Sequence, residues 1–118
     1  MSAARKADDV DEMLAALADP ARRRAVEALS EGPRRAGELA ELLGLDPPAM
    51  SRHLRVLRKS GLVAETHPEF DARVRIYALN AGRLTELKDW LARAEAGWSK
   101  QLAAFKRHVE TKTAAKRK

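Results

Sequence analysis

The stretch Asp46-Pro47-Pro48-Ala49-Met50-Ser51-Arg52-His53-Leu54-Arg55-Val56-Leu57-Arg58-Lys59-Ser60-Gly61 governs how the rest of the chain is read. An aspartate followed by proline is a helix-start signal. The carboxylate can accept the first free backbone N–H groups, and proline's missing N–H does no harm at the first helical position. Gly61 stops the run. At 100° per residue, Met50, Leu54 and Leu57 share one side, while Pro48, Ser51, Arg52, Arg55 and Lys59 lie opposite. Arg52, Arg55, Arg58 and Lys59 meet no acid between Pro47 and Ser60. One helix therefore combines a leucine-backed underside with an outer face of a single sign.

Upstream, residues 36–43 predict a short helix with Leu39, Leu42 and Leu43 inward, ended by Gly44. The two helices are joined by Gly44-Leu45-Asp46. A helix, a short glycine turn and a second helix hold that second helix proud of the domain, ready for a major groove. Asp19-Pro20 repeats the cap-then-proline signal and opens a helix to about Ser30, with Ala25, Val26 and Leu29 inward. Before it, Val10, Met13, Leu14 and Leu17 fall at i, i+3, i+4 and i+7, one face of a first helix.

Downstream the period changes. Leu62-Val63-Ala64-Glu65-Thr66 and Arg73-Val74-Arg75-Ile76-Tyr77-Ala78-Leu79 alternate, are rich in β-branched residues, and flank His67-Pro68-Glu69-Phe70-Asp71-Ala72, a loop with turn chemistry. They predict a β-hairpin. Arg73 and Arg75 are two apart and share a face, where a wing would meet the DNA backbone or minor groove; arginines on an edge strand also guard against aggregation. Asn80 can cap a final helix in which Leu84, Leu87, Leu91, Ala94, Trp98, Leu102, Phe105 and Val109 recur every three or four residues. That stripe outruns what a body of this size can cover, and a second copy is the simplest cover. From this helix Leu87, Trp90, Leu91, Ala94, Trp98 and Leu102 are expected at a dimer interface.

The fold expected is mainly α with a β-hairpin wing, a winged helix-turn-helix of order α-α-α-α-β-β-α. With 118 residues there is room for one domain, placed at 8–110, followed by a basic, disordered tail at 111–118. The net charge is +6, yet Lys106, Arg107, Lys112, Lys116, Arg117 and Lys118 face only Glu110 at that end, so the body is nearly neutral. The basic excess alone thus names no partner; the outer face of 47–60 does. No run of 18 apolar residues occurs, and the first nine residues lack the apolar stretch of a signal peptide. A cytoplasmic protein without a membrane partner is expected.

Catalysis and metal binding find no support. With no cysteine, disulfides, thiolates and Cys-based zinc sites are excluded. The histidines are His53, His67 and His108; His108 and Glu110 lie about 200° apart on a helix and cannot aim at one ion. Ser51 and His53, also two apart, cannot share a hydrogen bond. No glycine-rich phosphate loop is present. Neither enzyme activity, metal nor cofactor is expected. His53 sits at the border of the apolar and outer faces, fit to orient the helix or touch a phosphate, with local packing an equal alternative.

Three runs, Leu17-Ala18-Asp19-Pro20-Ala21-Arg22-Arg23-Arg24, Gly37-Glu38-Leu39-Ala40-Glu41-Leu42-Leu43-Gly44 and the stretch from Met50 on to Leu62-Val63, together resemble the ArsR family of bacterial winged-helix repressors over residues 10–105. The resemblance implies a dimer built by the first and last helices, which adds Val10, Met13, Leu14 and Leu17 to the interface, and an operator-reading helix at 47–60 with Ser51, Arg52 and His53 at DNA-contacting positions. Trp90 to Val109 is similar to a branch encoded beside small START-like lipid-pocket proteins. The family's best-known members sense metals through ligands this chain lacks, which leaves any small-molecule effector unassigned.

The expected function is that of a dimeric repressor on double-stranded DNA, with a twofold-symmetric operator whose half-sites lie about 10 bp apart. Its DNA-binding residues are Pro48, Ala49, Ser51, Arg52, His53, Arg55 and Lys59, with wing contacts from 66–75 through Arg73 and Arg75. Two alternatives stand beside it. One is a ligand- or metal-responsive sensor of the same fold; the other is a protein-interaction module, which the near-neutral body allows and the basic helix opposes.

Overall fold

The computed structural model describes residues 2–68, 71 and 73–117, with side chains described from residue 9 to residue 113 within those bounds. Its elements run α1 (Ser2–Leu17), α2 (Pro20–Leu29), β1 (Arg34–Arg35), α3 (Ala36–Leu43), α4 (Pro47–Lys59), β2 (Val63–Thr66), β3 (Ile76–Leu79) and α5 (Ala81–Arg117). The chain divides into two units, 1–87 and 88–118, where the sequence predicts one domain at 8–110. A helix makes its backbone hydrogen bonds within itself, so α5 past Leu87 can stand as a unit of its own.

In the first unit the local signals act as read. Asp19 accepts a hydrogen bond from the Ala21 N–H at 2.8 Å, and Asp46 accepts one from the Ala49 N–H at 2.9 Å, so each cap starts its helix at the proline. Gly44 takes φ +68°, a left-handed conformation that glycine adopts without cost, and this ends α3 and begins the turn into α4. Ser60, buried, donates its hydroxyl to the Leu57 carbonyl at 2.7 Å and accepts from the Leu62 N–H at 3.3 Å, steering the chain from α4 into β2. The Asn80 side chain accepts from the Gly82 N–H at 3.1 Å and starts α5.

The core joins Met13 and Ala16 of α1, Ala25 and Leu29 of α2, Leu39 of α3, Met50, Leu54 and Leu57 of α4, and Leu62, Val63 and Tyr77 around the sheet. Each fully buried leucine or methionine contributes about 2–5 kcal/mol relative to alanine. Arg83, in the first turn of α5, pairs with Asp9 of α1 at 2.5 Å and with Glu86 at 3.0 Å; these bonds raise its pKa.

Several expectations are corrected. The sheet has three strands in the order β1-β3-β2, because Arg34 and Arg35 pair antiparallel with Tyr77 and Ile76. The second hairpin strand begins at Ile76 rather than Arg73, since the Asp71 carboxylate captures the Arg73 N–H at 3.0 Å and Val74 N–H bonds the Asp71 carbonyl, forming a turn. Within α3, Ala40 is buried and Leu42 is exposed. In an eight-residue helix two apolar faces differ by a small rotation, and contact with α2 and α4 selects between them. Val10, Met13 and Leu87 are buried within one chain, so they pack its own core and are not free for a partner; Leu17 is half-buried and Leu14 exposed. Helix α1 begins at Ser2, well before its first core contact, because Ala3, Ala4, Arg5, Lys6 and Ala7 are strong helix formers.

In the second unit the helix continues to Arg117, where the sequence predicts disorder after 110. Alanine, lysine and arginine favour a helix, and neither glycine nor proline interrupts residues 98–118. Leu91, Trp98, Leu102, Phe105 and Val109 are exposed on this helix at alternating steps of three, four and seven residues, and Trp90 and Ala94 are half-buried.

Candidate nucleic-acid interface

The outer face of α4 follows from its inner one. Met50, Leu54 and Leu57 are inaccessible, and helical geometry then turns Pro48, Ser51, Arg52, Arg55 and Lys59 to solvent, all five exposed. Ala49 is half-buried beside them. Among the described residues, Arg52, Arg55 and Lys59 form no ion pair, whereas Arg22, Arg34, Arg58, Arg75 and Arg83 each face an acid. Unpaired guanidinium groups on a rigid helix can fork onto guanine O6 and N7 or onto phosphate oxygens.

His53 faces inward. Its Nδ1 accepts from the Arg22 guanidinium at 3.3 Å, while Arg22 Nε donates to the Ala16 carbonyl at 2.6 Å and a guanidinium nitrogen lies 3.7 Å from the Asp19 carboxylate. This contact ties α4 to the start of α2 and to the end of α1. The Asp19 carboxyl is held below its ordinary value, chiefly by the Ala21 N–H and secondarily by Arg22 and His53.

The wing differs from its expected form. Arg73 is almost fully exposed and leans on Asp71 at 3.3 Å. Arg75 instead lies 3.2 Å from Glu65, which also pairs with Arg58 of α4 at 2.5 Å; His67 Nε2 stands 3.9 Å from the same carboxylate. The two wing arginines thus do not act as one face, because Asp71 and Glu65 draw them to different partners. His67 Nδ1 donates to the Val74 carbonyl at 3.1 Å. Glu69, Phe70 and Ala72 of the predicted loop lie outside the described residues.

Sequence reasoning missed two residues here. Val56 is exposed on α4, yet it lines a cleft with Glu12, Ala15 and Ala16 of α1 and Arg22 of α2, so it stands on the α1 side of the helix rather than among the outward cations. Its place about 60° from His53 around the helix signals it. Glu65 carries no such signal, since its partners lie seven residues before it and ten after.

Residues 19–65 match the bacterial regulatory protein, arsR family. The chain is 38% identical over 96 residues to the HTH-type transcriptional regulator Rv2034 of Mycobacterium tuberculosis, an alignment that covers 81% of this chain and 84% of the relative. The chain belongs to the ArsR family. The ArsR-family protein is also 28% identical over 76 residues to the transcriptional repressor SdpR of Bacillus subtilis, covering 64% of this chain and 81% of that one. Among solved structures, an ArsR-like transcriptional regulator from Rhodococcus sp. RHA1 superposes with a TM-score of 0.69 at 28% identity, covering 85% of this chain and 92% of the other.

This ArsR-family chain is therefore a DNA-binding transcriptional regulator with a winged helix-turn-helix fold, and not an enzyme. The sequence contains no cysteine, and among the described residues no three His, Asp or Glu side chains converge. No described helix is long and apolar enough to cross a membrane.

Proposed function

We propose that this regulator is a cytoplasmic homodimeric repressor that reads a twofold-symmetric operator by inserting α4 into successive major grooves. The observation that carries this reading is the outer face of α4, where Ser51, Arg52, Arg55 and Lys59 are exposed and the three cations form no ion pair among the described residues. Pro48 and Ala49 border the groove at the start of the helix, whose dipole favours nearby phosphate. Arg73 supplies the wing contact. His53 acts from behind by fixing the pitch of the helix.

Self-association draws its support from the exposed seam Leu91, Trp98, Leu102, Phe105 and Val109, with Trp90 and Ala94 at its edge and Leu14 as the α1 residue open to a partner. A twofold pair sets two copies of α4 about one helical turn of DNA, roughly 10 bp, apart.

The test is fluorescence anisotropy with duplexes from the region upstream of the regulator's own gene. Arg52→Ala is expected to abolish the preference for one of them over random DNA, at about 1–3 kcal/mol per lost base contact. Deleting residues 112–118 should weaken all duplexes alike. Equal, sequence-blind losses from both changes would show that α4 does not read bases.

A further inference from the structure

Glu65 on β2 is an enclosed acid, its side chain only 8% exposed. A carboxylate that far from water needs partners. It takes them from two separate elements: Arg58 on the last turn of α4 at 2.5 Å, and Arg75 just before β3 at 3.2 Å. Both arginines remain accessible, at 47% and 63%, although the carboxylate between them is not. Arg55, Arg58, Lys59 and Glu65 line one open cleft between α4 and β2. Within that cleft Arg55 and Lys59 form no ion pair among the described residues, and Arg58 is neutralised.

We infer that Glu65 is a specificity-determining positioning residue, which fixes the wing to the reading helix and withholds two guanidinium groups from DNA phosphates. This rests on the reading of α4 as the base-reading element. Phosphate contacts raise affinity for every sequence and carry no base information. A regulator with Arg58 and Arg75 free would gain contacts on all DNA and so lose relative preference for its operator. One buried carboxylate suppresses both of those contacts and at the same time sets the angle between wing and helix.

The test compares a duplex of about 30 bp enriched from a randomised pool by the wild-type protein with an unselected duplex of equal length, across a salt series. Glu65→Gln keeps the shape and removes the charge. The unselected duplex should bind more tightly, with a log Kd against log salt slope steeper by about 2 for a dimer in which one freed arginine per protomer reaches a phosphate. Preference for the enriched duplex should fall on the order of tenfold, the size of one misplaced base contact. Glu65→Asp keeps the charge and should keep the wild-type slope. A purely structural role predicts the reverse order, with the shortened side chain more harmful than the isosteric one, and that result overturns the inference.

Arg75→Gln covers the case in which Glu65→Gln does not fold. Its charge is already withheld, so the slope on unselected DNA should stay at the wild-type value; a decrease equal to that of Arg52→Gln overturns the inference. Arg52→Ala separates the two readings. If it binds the enriched duplex as the wild type does, the α4 reading fails and the Glu65 role with it. If it loses preference while Glu65→Gln matches the wild type, the Glu65 role alone is wrong.

Discussion

Replacing Trp98 with alanine should break the proposed dimer without disturbing the core of the first unit. Trp98 is 59% exposed in the single chain. A tryptophan buries up to about 250 Å², so about 150 Å² of it stays available to a partner. At about 25 cal/mol per Å², its complete removal from water is worth about 4 kcal/mol per copy. A twofold interface contains the residue twice, which sets an upper bound of about 8 kcal/mol. Contacts cover such a side chain incompletely and alanine keeps part of the area, so about 4 kcal/mol is the expected loss, roughly three orders of magnitude in the dimer Kd. Sedimentation velocity from nanomolar to tens of micromolar concentration reads this directly. A wild-type protein that stays monomeric at micromolar concentration refutes the reasoning, as does a Trp98→Ala dimer of unchanged Kd.

Leu54→Ala should lower the unfolding free energy by about 2–5 kcal/mol in urea denaturation, whereas Leu42→Ala, at a position 55% exposed, should change it by less than about 1 kcal/mol. Asp19 supplies a pH prediction. Its pKa is lowered in the folded chain, so its contribution is complete above the ordinary carboxylate value of 3.8 and is lost as pH falls through the lower folded value. Circular dichroism of an acid titration should accordingly show Asp19→Asn losing less stability than the wild type over that window; identical acid limbs would contradict the cap assignment.

The parts of the fold that were legible in the sequence are those written in local chemistry. Asp19-Pro20 and Asp46-Pro47 act through bonds spanning two or three residues, so two letters state where each helix begins. Strand β1 is different: Arg34-Arg35 has no alternation to read, and it is a strand only because β3 lies beside it. Val10 and Met13 expose a second kind of silence, since an apolar stripe looks the same whether its own chain or another covers it. At the candidate site, the outer face of α4 was readable because one helical period sets it. The pairing of Arg75 with Glu65 was not, because it depends on where a turn at Asp71 releases the chain.

The central place of β3 in the sheet has an evolutionary consequence. Its hydrogen bonds reach both β2, which follows α4, and β1, which leads directly into α3. The segment between Thr66 and Ile76 is thus tethered at its root from two sides. Residues can be inserted, deleted or recharged between β2 and β3 with little strain on the bracket beneath, so descendants of this protein can vary that segment while α3 and α4 stay in register.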